Sequence, residues 1–307
     1  MKQDFKEVVI YMKNLGYSDD AIYKILTSYP IYKLSSENIL QYIKDIFREF
    51  TNEYFGYTKS EVIKMTKRTP EIFCYSLGVL KEKAIFLKKL GYSCEKIKKM
   101  TVSDSKIYTL SVDSINNKFL DLEELGYSKQ QTFKITKKSP SIWGYDINTL
   151  KQKIEDIENL GYKKEEVIYM TVIYPKILEL NIDTLKNKIN TLIDLKYSLE
   201  EIRKITICYP ALFGLKIDNI NQTIVFYQDI DISEFILYDS KQLMQSVDLS
   251  YARYMFYKEK DIEINNSNYR KLFTCQRLFF NSYGVTNEYI KEKYKYKDYL
   301  KQKVKVL

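Results

Sequence analysis

The chain has 307 residues, 45% of them hydrophobic, and a formal net charge of +9. This apolar content excludes a disordered chain. The absence of histidine excludes Ser-His-Asp and Cys-His catalysis. The four cysteines form no CxxC pair, which argues against a disulfide framework or a zinc knuckle, so we expect no metal and no cofactor.

Residues 1–15 predict an amphipathic helix that carries Asp4 and Glu7. Acidic residues at this place argue against a secretory signal and against a transit peptide, so we expect a cytoplasmic protein, with the mitochondrial matrix as the alternative. No apolar run approaches the roughly 18 residues that a membrane span needs. The positive charge suits a nucleic-acid or an anionic membrane partner and does not distinguish the two.

A Gly-Tyr pair then recurs, first after 40 residues and afterwards every 35. The pairs begin at Gly16, Gly56, Gly91, Gly126 and Gly161, and Lys196 takes the sixth place. All five prolines lie 14 residues after these positions, at Pro30, Pro70, Pro140, Pro175 and Pro210, and Ser105 stands in the copy without proline. A fixed period of this length predicts tandem structural repeats.

Each repeat predicts a long helix and a short helix. Gly closes the long helix, and a hydroxyl side chain caps the short one, at Ser18, Thr58, Ser93, Ser128 and Ser198, with Lys163 as the exception. Three copies complete a capping box: Thr58/Glu61, Ser128/Gln131 and Ser198/Glu201. The short helix ends before proline. We expect Asp113, Asn148, Asp183 and Asp218 to cap the long helices that follow.

Apolar residues recur at steps of 4, 3 and 3 within the long helices, which indicates one buried helical face. We therefore predict an all-α fold, an α-solenoid of about six to eight tandem helical repeats of about 35 residues. Residues 1–228 hold the regular repeats, 229–290 hold divergent repeats and a cap, and 291–307 form a basic tail. We expect one continuous solenoid and a monomer.

The repeat text resembles a known family. The shared pattern is Leu-Gly-Tyr-Ser, an acidic short helix such as Glu165-Glu166-Val167, then Pro, Ile and Asp-x-Leu-x-x-Lys. The repeat is similar to that of the mitochondrial transcription termination factor (mTERF) family. The likeness is strongest over residues 125–195 and covers roughly residues 10–260. It implies a curved α-solenoid, a superhelix of α-α-3₁₀ units that binds nucleic acid, either double-stranded DNA in transcription or RNA in organelle gene expression.

Lysine also recurs in phase with the repeat, at the edge of the apolar face of the long helix. We call this row the lysine ladder; it consists of Lys83, Lys118, Lys153 and Lys188, and Thr223 interrupts it. One interpretation places these amines along a groove where they contact phosphates. The alternative is that each stem packs on the neighbouring repeat, or that each amine pairs with an acid there.

Further basic residues are candidates for nucleic-acid contact: Arg253 and the pairs Lys67-Arg68 and Lys137-Lys138. A second row points outward and is expected to be a solvated face: Lys24, Lys64, Lys99, Lys134 and Lys204. The repeated tyrosines and Trp143 are interpreted as packing residues rather than base-stacking ones. The repeated threonines, such as Thr66, are expected to bond back to their own helix or to a neighbouring turn.

The leading hypothesis is a non-enzymatic protein that binds double-stranded DNA through its backbone phosphates and acts in transcription or its regulation. The alternatives are an RNA-binding repeat protein and a protein-binding scaffold, since repeat surfaces serve all three uses.

Overall fold

A computed structural model describes residues 5–28, 31–53 and 55–304. Pro30 lies outside the described residues. Within them every regular element is helical and no strand occurs, so the predicted all-α repeat class is confirmed.

The repeating unit is a long helix, a short helix and a 3₁₀ turn. The α-helices up to residue 158 are α1 (Lys6–Leu15), α2 (Asp19–Thr27), α3 (Ser36–Phe50), α4 (Lys59–Arg68), α5 (Leu77–Lys89), α6 (Cys94–Ser103), α7 (Val112–Glu124), α8 (Lys129–Lys138) and α9 (Ile147–Glu158). They continue with α10 (Lys164–Ile173), α11 (Ile182–Asp194), α12 (Leu199–Cys208), α13 (Ile217–Asp229), α14 (Ile236–Asp239), α15 (Val247–Glu259), α16 (Gln276–Tyr283), α17 (Asn287–Lys293) and α18 (Tyr296–Val304). The 3₁₀ helices are Ile31–Lys33, Pro70–Cys74, Ser105–Thr109, Pro140–Gly144, Pro175–Glu179, Pro210–Gly214, Ser233–Phe235, Ser240–Met244 and Tyr269–Phe273.

The Gly-Tyr pair closes α1, α5, α7 and α9 as predicted, whereas α3 ends at Phe50, six residues before Gly56. Gly91 adopts φ 105°, and its N–H donates to the Lys88 carbonyl while the Tyr92 N–H donates to the Leu87 carbonyl. These two bonds form the Schellman arrangement, which needs a left-handed residue. Lys196 takes the same conformation with φ 72°, which is strained for a residue with a Cβ atom.

The hydroxyl caps of the short helices and the three capping boxes are confirmed. The prediction for the long helices is wrong by two residues. Ser111 and Asn181 cap α7 and α11, while Asp113 and Asp183 lie in the first turn. Their carboxylates there still face the positive end of the helix dipole, which explains why the sequence pattern was misleading.

The chain divides into two compact units, residues 1–152 (unit 1) and 153–307 (unit 2), with the boundary inside α9. In unit 1 the short helices α2, α4, α6 and α8 pack in succession, and the 3₁₀ turns pack in the same order. The apolar face of each helix is buried by its neighbours, as in other repeat folds.

Unit 2 repeats this stacking with α10, α12 and α14, and with α11, α13 and α15. Its last described helix, α18, packs back on α15. The Tyr296 ring lies 6.0 Å from that of Phe226, which is fully buried. Earlier repeats carry Asp156 and Thr191 at the place of Phe226, so an apolar residue occurs where the C-terminal segment covers it.

Candidate nucleic-acid interface

The repeated tyrosines are interior residues. Four of them bond to a threonine in the short helix of the next repeat with an O···O distance of 2.5–2.7 Å; the pairs are Tyr17–Thr66, Tyr57–Thr101, Tyr92–Thr136 and Tyr162–Thr206. Because the Thr66 hydroxyl donates its one proton to the Val62 carbonyl, it accepts from Tyr17. The predicted packing role of these tyrosines and the back-bonding of the threonines are confirmed.

Two members of the lysine ladder are buried against the following repeat. The ammonium of Lys83 donates to the Tyr108 carbonyl at 2.5 Å and lies over the Tyr75 ring at 4.1 Å. Lys188 donates in the same way to the Phe213 carbonyl. Both side chains are about 5% exposed or less, and burial lowers the pKa of each amine. Each lysine therefore ties a long helix to the next 3₁₀ turn.

The other two members make related contacts. Lys153 is half-buried and donates to the Leu180 carbonyl at 3.1 Å. Lys118 is buried and pairs with Asp121 of its own helix at 3.2 Å. The four lysines of the ladder thus occupy equivalent positions in their repeats, and each amine already has a hydrogen-bond acceptor within the protein.

Arg253 is the largest fully buried polar side chain described, with 1% exposure. Its guanidinium donates to the Leu272 carbonyl at 2.8 Å and to Asn287 Oδ1 at 2.9 Å, and it covers the Phe279 ring at 4.9 Å. Desolvation lowers its pKa. In α15 it makes the same helix-to-turn contact that Lys188 makes in α11.

These geometries fit the alternative interpretation of the ladder, in which the stem packs on the neighbouring repeat. A phosphate could reach Lys83, Lys188 or Arg253 only after the existing hydrogen bonds are broken, and a buried carbonyl left without its donor is unfavourable by roughly 1–3 kcal/mol. Nucleic-acid contact by the ladder stays a prediction.

The basic pairs have a different environment. Lys67 and Arg68 end α4, Lys137 and Lys138 end α8, and all four side chains are exposed. An open cleft beside α4 is lined by Lys64, Lys67 and Arg68 together with Ser60 and Ile63. Within the described part of the chain, no carboxylate lies within salt-bridge distance of Lys67, Arg68 or Lys137.

Like charges accumulate on α8. Partial burial, together with the neighbouring charge of Lys134, lowers the pKa of Lys138. Lys137 reaches the adjacent repeat electrostatically, because its charge helps to lower the pKa of the Glu95 carboxyl after the larger effect of Lys99. An anion placed here would relieve the repulsion between lysines, whereas in its absence the negative end of the helix dipole offsets only part of it.

The outward row is partly paired. Lys99 bonds to Glu95 at 2.5 Å and Lys204 bonds to Glu200 at 2.9 Å, both within one helix. Such exposed pairs are worth little energetically, which agrees with the predicted solvated face. Lys98, which the sequence did not single out, donates to the Gly56 carbonyl at 2.7 Å and pairs with Glu61. It joins two repeats at their rim.

Charge is distributed unevenly between the units. Unit 1 has 25 Lys and Arg against 18 Asp and Glu, a net charge of +7, whereas unit 2 has 24 against 22. Residues 291–307 contribute seven lysines and two acids to unit 2, so residues 153–290 carry a net charge of −3. Unit 1 is therefore the more attractive surface for a polyanion.

The last two residues of the short helix differ in character from repeat to repeat, which a search for periodicity does not reveal. At this place successive repeats carry Lys67-Arg68, Val102-Ser103, Lys137-Lys138, Val172-Ile173 and Ile207-Cys208. The scaffold tolerates both basic and apolar residues there, so their identity is free to serve binding.

Two further observations limit the chemistry. Among the described residues, no group of three or more Cys, Asp or Glu side chains is arranged to hold a metal ion. None of the described helices has the length and apolar character that crossing a membrane requires.

Repeated α-α-3₁₀ units of this kind define a class of helical-repeat proteins. The mTERF family model matches residues 1–121 and 118–233 of the chain. The chain therefore belongs to the mTERF family, whose members are non-enzymatic proteins that generally bind nucleic acid. No individual curated protein matches it in sequence.

Proposed function

We propose that the chain binds double-stranded DNA through its backbone phosphates and acts in transcription or its regulation. The observation that carries the proposal is the set of exposed basic pairs in unit 1, Lys67-Arg68 on α4 and Lys137-Lys138 on α8. Family membership supplies the class of ligand, and the net charge of +7 on this unit favours a polyanion.

The two pairs belong to one stack, since α6 packs against both α4 and α8. Equivalent positions two repeats apart lie about 16–20 Å apart when helices stack at 8–10 Å. That distance suits phosphates along one face of a duplex, whose helical turn is about 34 Å. Contacts of this kind give affinity and register without reading base sequence.

The lysine ladder and Arg253 have an indirect part in this proposal. Their hydrogen bonds hold each long helix on the next turn and so fix the spacing of the repeats that present the basic pairs. We assign direct phosphate contact first to Lys67, Arg68, Lys137 and Lys138. RNA is the alternative ligand, because phosphates alone do not distinguish the two.

The test changes these four residues to Gln and measures binding to a labelled duplex at several salt concentrations. Each phosphate contact releases close to one counterion, so the slope of log affinity against log salt should become shallower by about 3–4 units. The matched control changes four exposed lysines of unit 2 to Gln: Lys164, Lys186, Lys216 and Lys258. It removes the same charge and should change the slope by less than about 1 unit.

Equal slopes for the two quadruple variants would show that net charge, and not a site in unit 1, determines binding. A wild-type chain that binds neither duplex DNA nor RNA at low salt would favour the protein-binding scaffold. A duplex RNA of the same sequence, measured in parallel, decides between the two nucleic acids.

A further inference from the structure

Two repeats of unit 2 carry a tyrosine before the turn proline, Tyr174 in one and Tyr209 in the next. Among the earlier repeats the first has Tyr29 at this position, and the next three have Thr69, Asp104 and Ser139. Thr69 and Ser139 are buried, so the scaffold closes without an aromatic ring. An aromatic ring is therefore not required at this position, and its presence can serve binding.

The two tyrosines precede neighbouring 3₁₀ turns. Tyr174 reaches across to the next turn, where a Cβ atom added to Gly214 would come within 2.2 Å of its hydroxyl. Burial, and after it the charge of an ionised Tyr174, raises the pKa of Tyr209. The 3₁₀ turns that carry these residues pack in sequence.

Asp239 takes the position before the next 3₁₀ turn, and Tyr238 lies beside it. The Cys208 thiol, next to Tyr209 in the chain, donates to the Tyr238 carbonyl at 3.6 Å. The Tyr238 ring is 58% exposed, and it meets the Tyr269 ring edge-on at 6.3 Å. Tyr174, Tyr209 and Tyr238 form what we call the tyrosine strip.

Cations accompany the strip. Lys176, Lys241 and Lys271 are exposed, and each follows a tyrosine by two or three residues. Arg270 covers the Tyr269 ring at 5.8 Å but pairs with Asp239 at 3.6 Å. Burial, and after it the charge of Glu179, raises the pKa of Tyr174. The charged residues named here are thus four cations and two acids.

We propose that the tyrosine strip binds single-stranded nucleic acid, with bases stacked on the tyrosine rings and phosphates beside Lys176 and Lys241. Every base has a π-face, so an aromatic row with interleaved cations accepts unpaired bases of any sequence. A duplex keeps its bases stacked internally and cannot use the rings. This inference rests on the proposed function only in taking the chain to be a nucleic-acid binder.

The experiment measures fluorescence anisotropy of a labelled oligothymidine with wild type, Tyr238→Leu, Tyr209→Leu and the double variant. Leu keeps an apolar side chain but cannot stack, so each single change should weaken binding by about fivefold and the double change by more than tenfold. Tyr238→Phe and Tyr209→Phe keep the ring and should bind like wild type. Tyr23→Leu, which removes an exposed tyrosine of unit 1, is the matched control.

A second probe isolates the bases. An oligonucleotide of the same length with abasic sites keeps its phosphates, so it should bind about as weakly as the double Leu variant binds oligothymidine, and the Leu changes should not weaken it further. The proposal is overturned if the Leu variants bind oligothymidine like wild type, or if the abasic strand binds as well as the complete one. It is also overturned if the Leu changes only dissociate oligomers of the chain in sedimentation, because the strip is then a protein contact.

Duplex binding, measured on the same samples, separates the two proposals. Strip variants that lose the single strand but keep the duplex support the inference. Loss of both together in every strip variant would contradict it. A wild type that binds the duplex but not the single strand refutes the strip alone, whereas failure with both ligands refutes the proposed function as well. Tyr238 is largely exposed, so its variants test the strip even if Tyr209→Leu does not fold.

Discussion

Units 1 and 2 use the same interior and present different rims. In both, tyrosine hydroxyls bond to threonines of the next repeat, and buried lysines such as Lys83 and Lys188 bond to the next 3₁₀ turn. At the end of the short helix, unit 1 has the exposed basic pairs Lys67-Arg68 and Lys137-Lys138, with Val102-Ser103 in the repeat between them, whereas unit 2 has Val172-Ile173 and Ile207-Cys208.

The difference teaches that the interior positions define the repeat and the rim positions are free to vary. A repeat array stacks as long as each unit buries its neighbour's apolar face. Charge and aromatic rings at the rim can therefore change from one repeat to another with little effect on folding.

The largest expected effect tests whether the shared interior responds as one. Burial raises the pKa of six interior tyrosines above the usual value of about 10: Tyr17, Tyr57, Tyr92, Tyr162, Tyr197 and Tyr227. The unfolded chain releases these protons first. The stability contributed by the neutral phenols is therefore present below pH 10 and is lost as the pH rises towards about 12, the pKa of Tyr162 and Tyr197.

Lys83 and Lys188 act in the opposite direction, because burial lowers the pKa of their amines and the unfolded chain holds more protons there. They are outnumbered by the tyrosines. We expect the far-ultraviolet circular dichroism signal to fall between about pH 10 and 12 in step with tyrosinate absorbance. If the full tyrosinate absorbance, including that of the buried phenols, developed near pH 10 while the helices persisted, the interior would be open to water.

The next effect tests the lysine contacts, one in each unit. Lys83→Met and Lys188→Met keep most of the stem but leave the Tyr108 or Phe213 carbonyl without its donor. Each change should lower the free energy of unfolding by about 1–2 kcal/mol, measured by urea denaturation. Lys186→Met, on the exposed face of α11, should change it by less than about 0.5 kcal/mol.

The same variants examine the ladder hypothesis. If Lys83→Met and Lys188→Met unfold like the control but bind duplex DNA more weakly, the ladder contacts nucleic acid and our structural assignment fails. Unchanged binding with lower stability would agree with it.

The smallest effect compares one repeated tyrosine of unit 1 with one of unit 2. The Tyr57 hydroxyl bonds to Thr101 at 2.6 Å and to Tyr108 at 3.1 Å, so Tyr57→Phe should destabilise the fold by about 1 kcal/mol. The Tyr197 hydroxyl is buried without a hydrogen-bond partner, so Tyr197→Phe should be neutral or stabilising by up to about 1 kcal/mol. Equal losses in urea denaturation would contradict this contrast.

Much of the fold could be predicted because the same local signals occur in several repeats. The glycines, the prolines and the hydroxyl caps each occur several times at one spacing, so a local signal that is weak once becomes strong. The caps of the long helices were misplaced by two residues because Asp113 and Asp183 suit the first turn as well as the cap.

The site was less predictable, because the sequence locates the lysine ladder on the edge of a helix but not what lies opposite. The carbonyls that accept from Lys83 and Lys188 lie 25 residues later in the chain. Backbone acceptors leave no residue pattern to recognise. The exposed pairs and the tyrosine strip differ between repeats, and a search for shared features passes over differences.

The bonds from these tyrosines to later threonines also affect the order in which the repeats fold during synthesis. The threonine partner lies 44 residues further along the chain for Tyr57, Tyr92 and Tyr162. During synthesis on the ribosome, a repeat is therefore completed only after more than one further repeat has emerged. Folding is expected to follow chain elongation by that distance. A polypeptide truncated within a repeat leaves the tyrosine hydroxyl of the preceding repeat without its threonine partner.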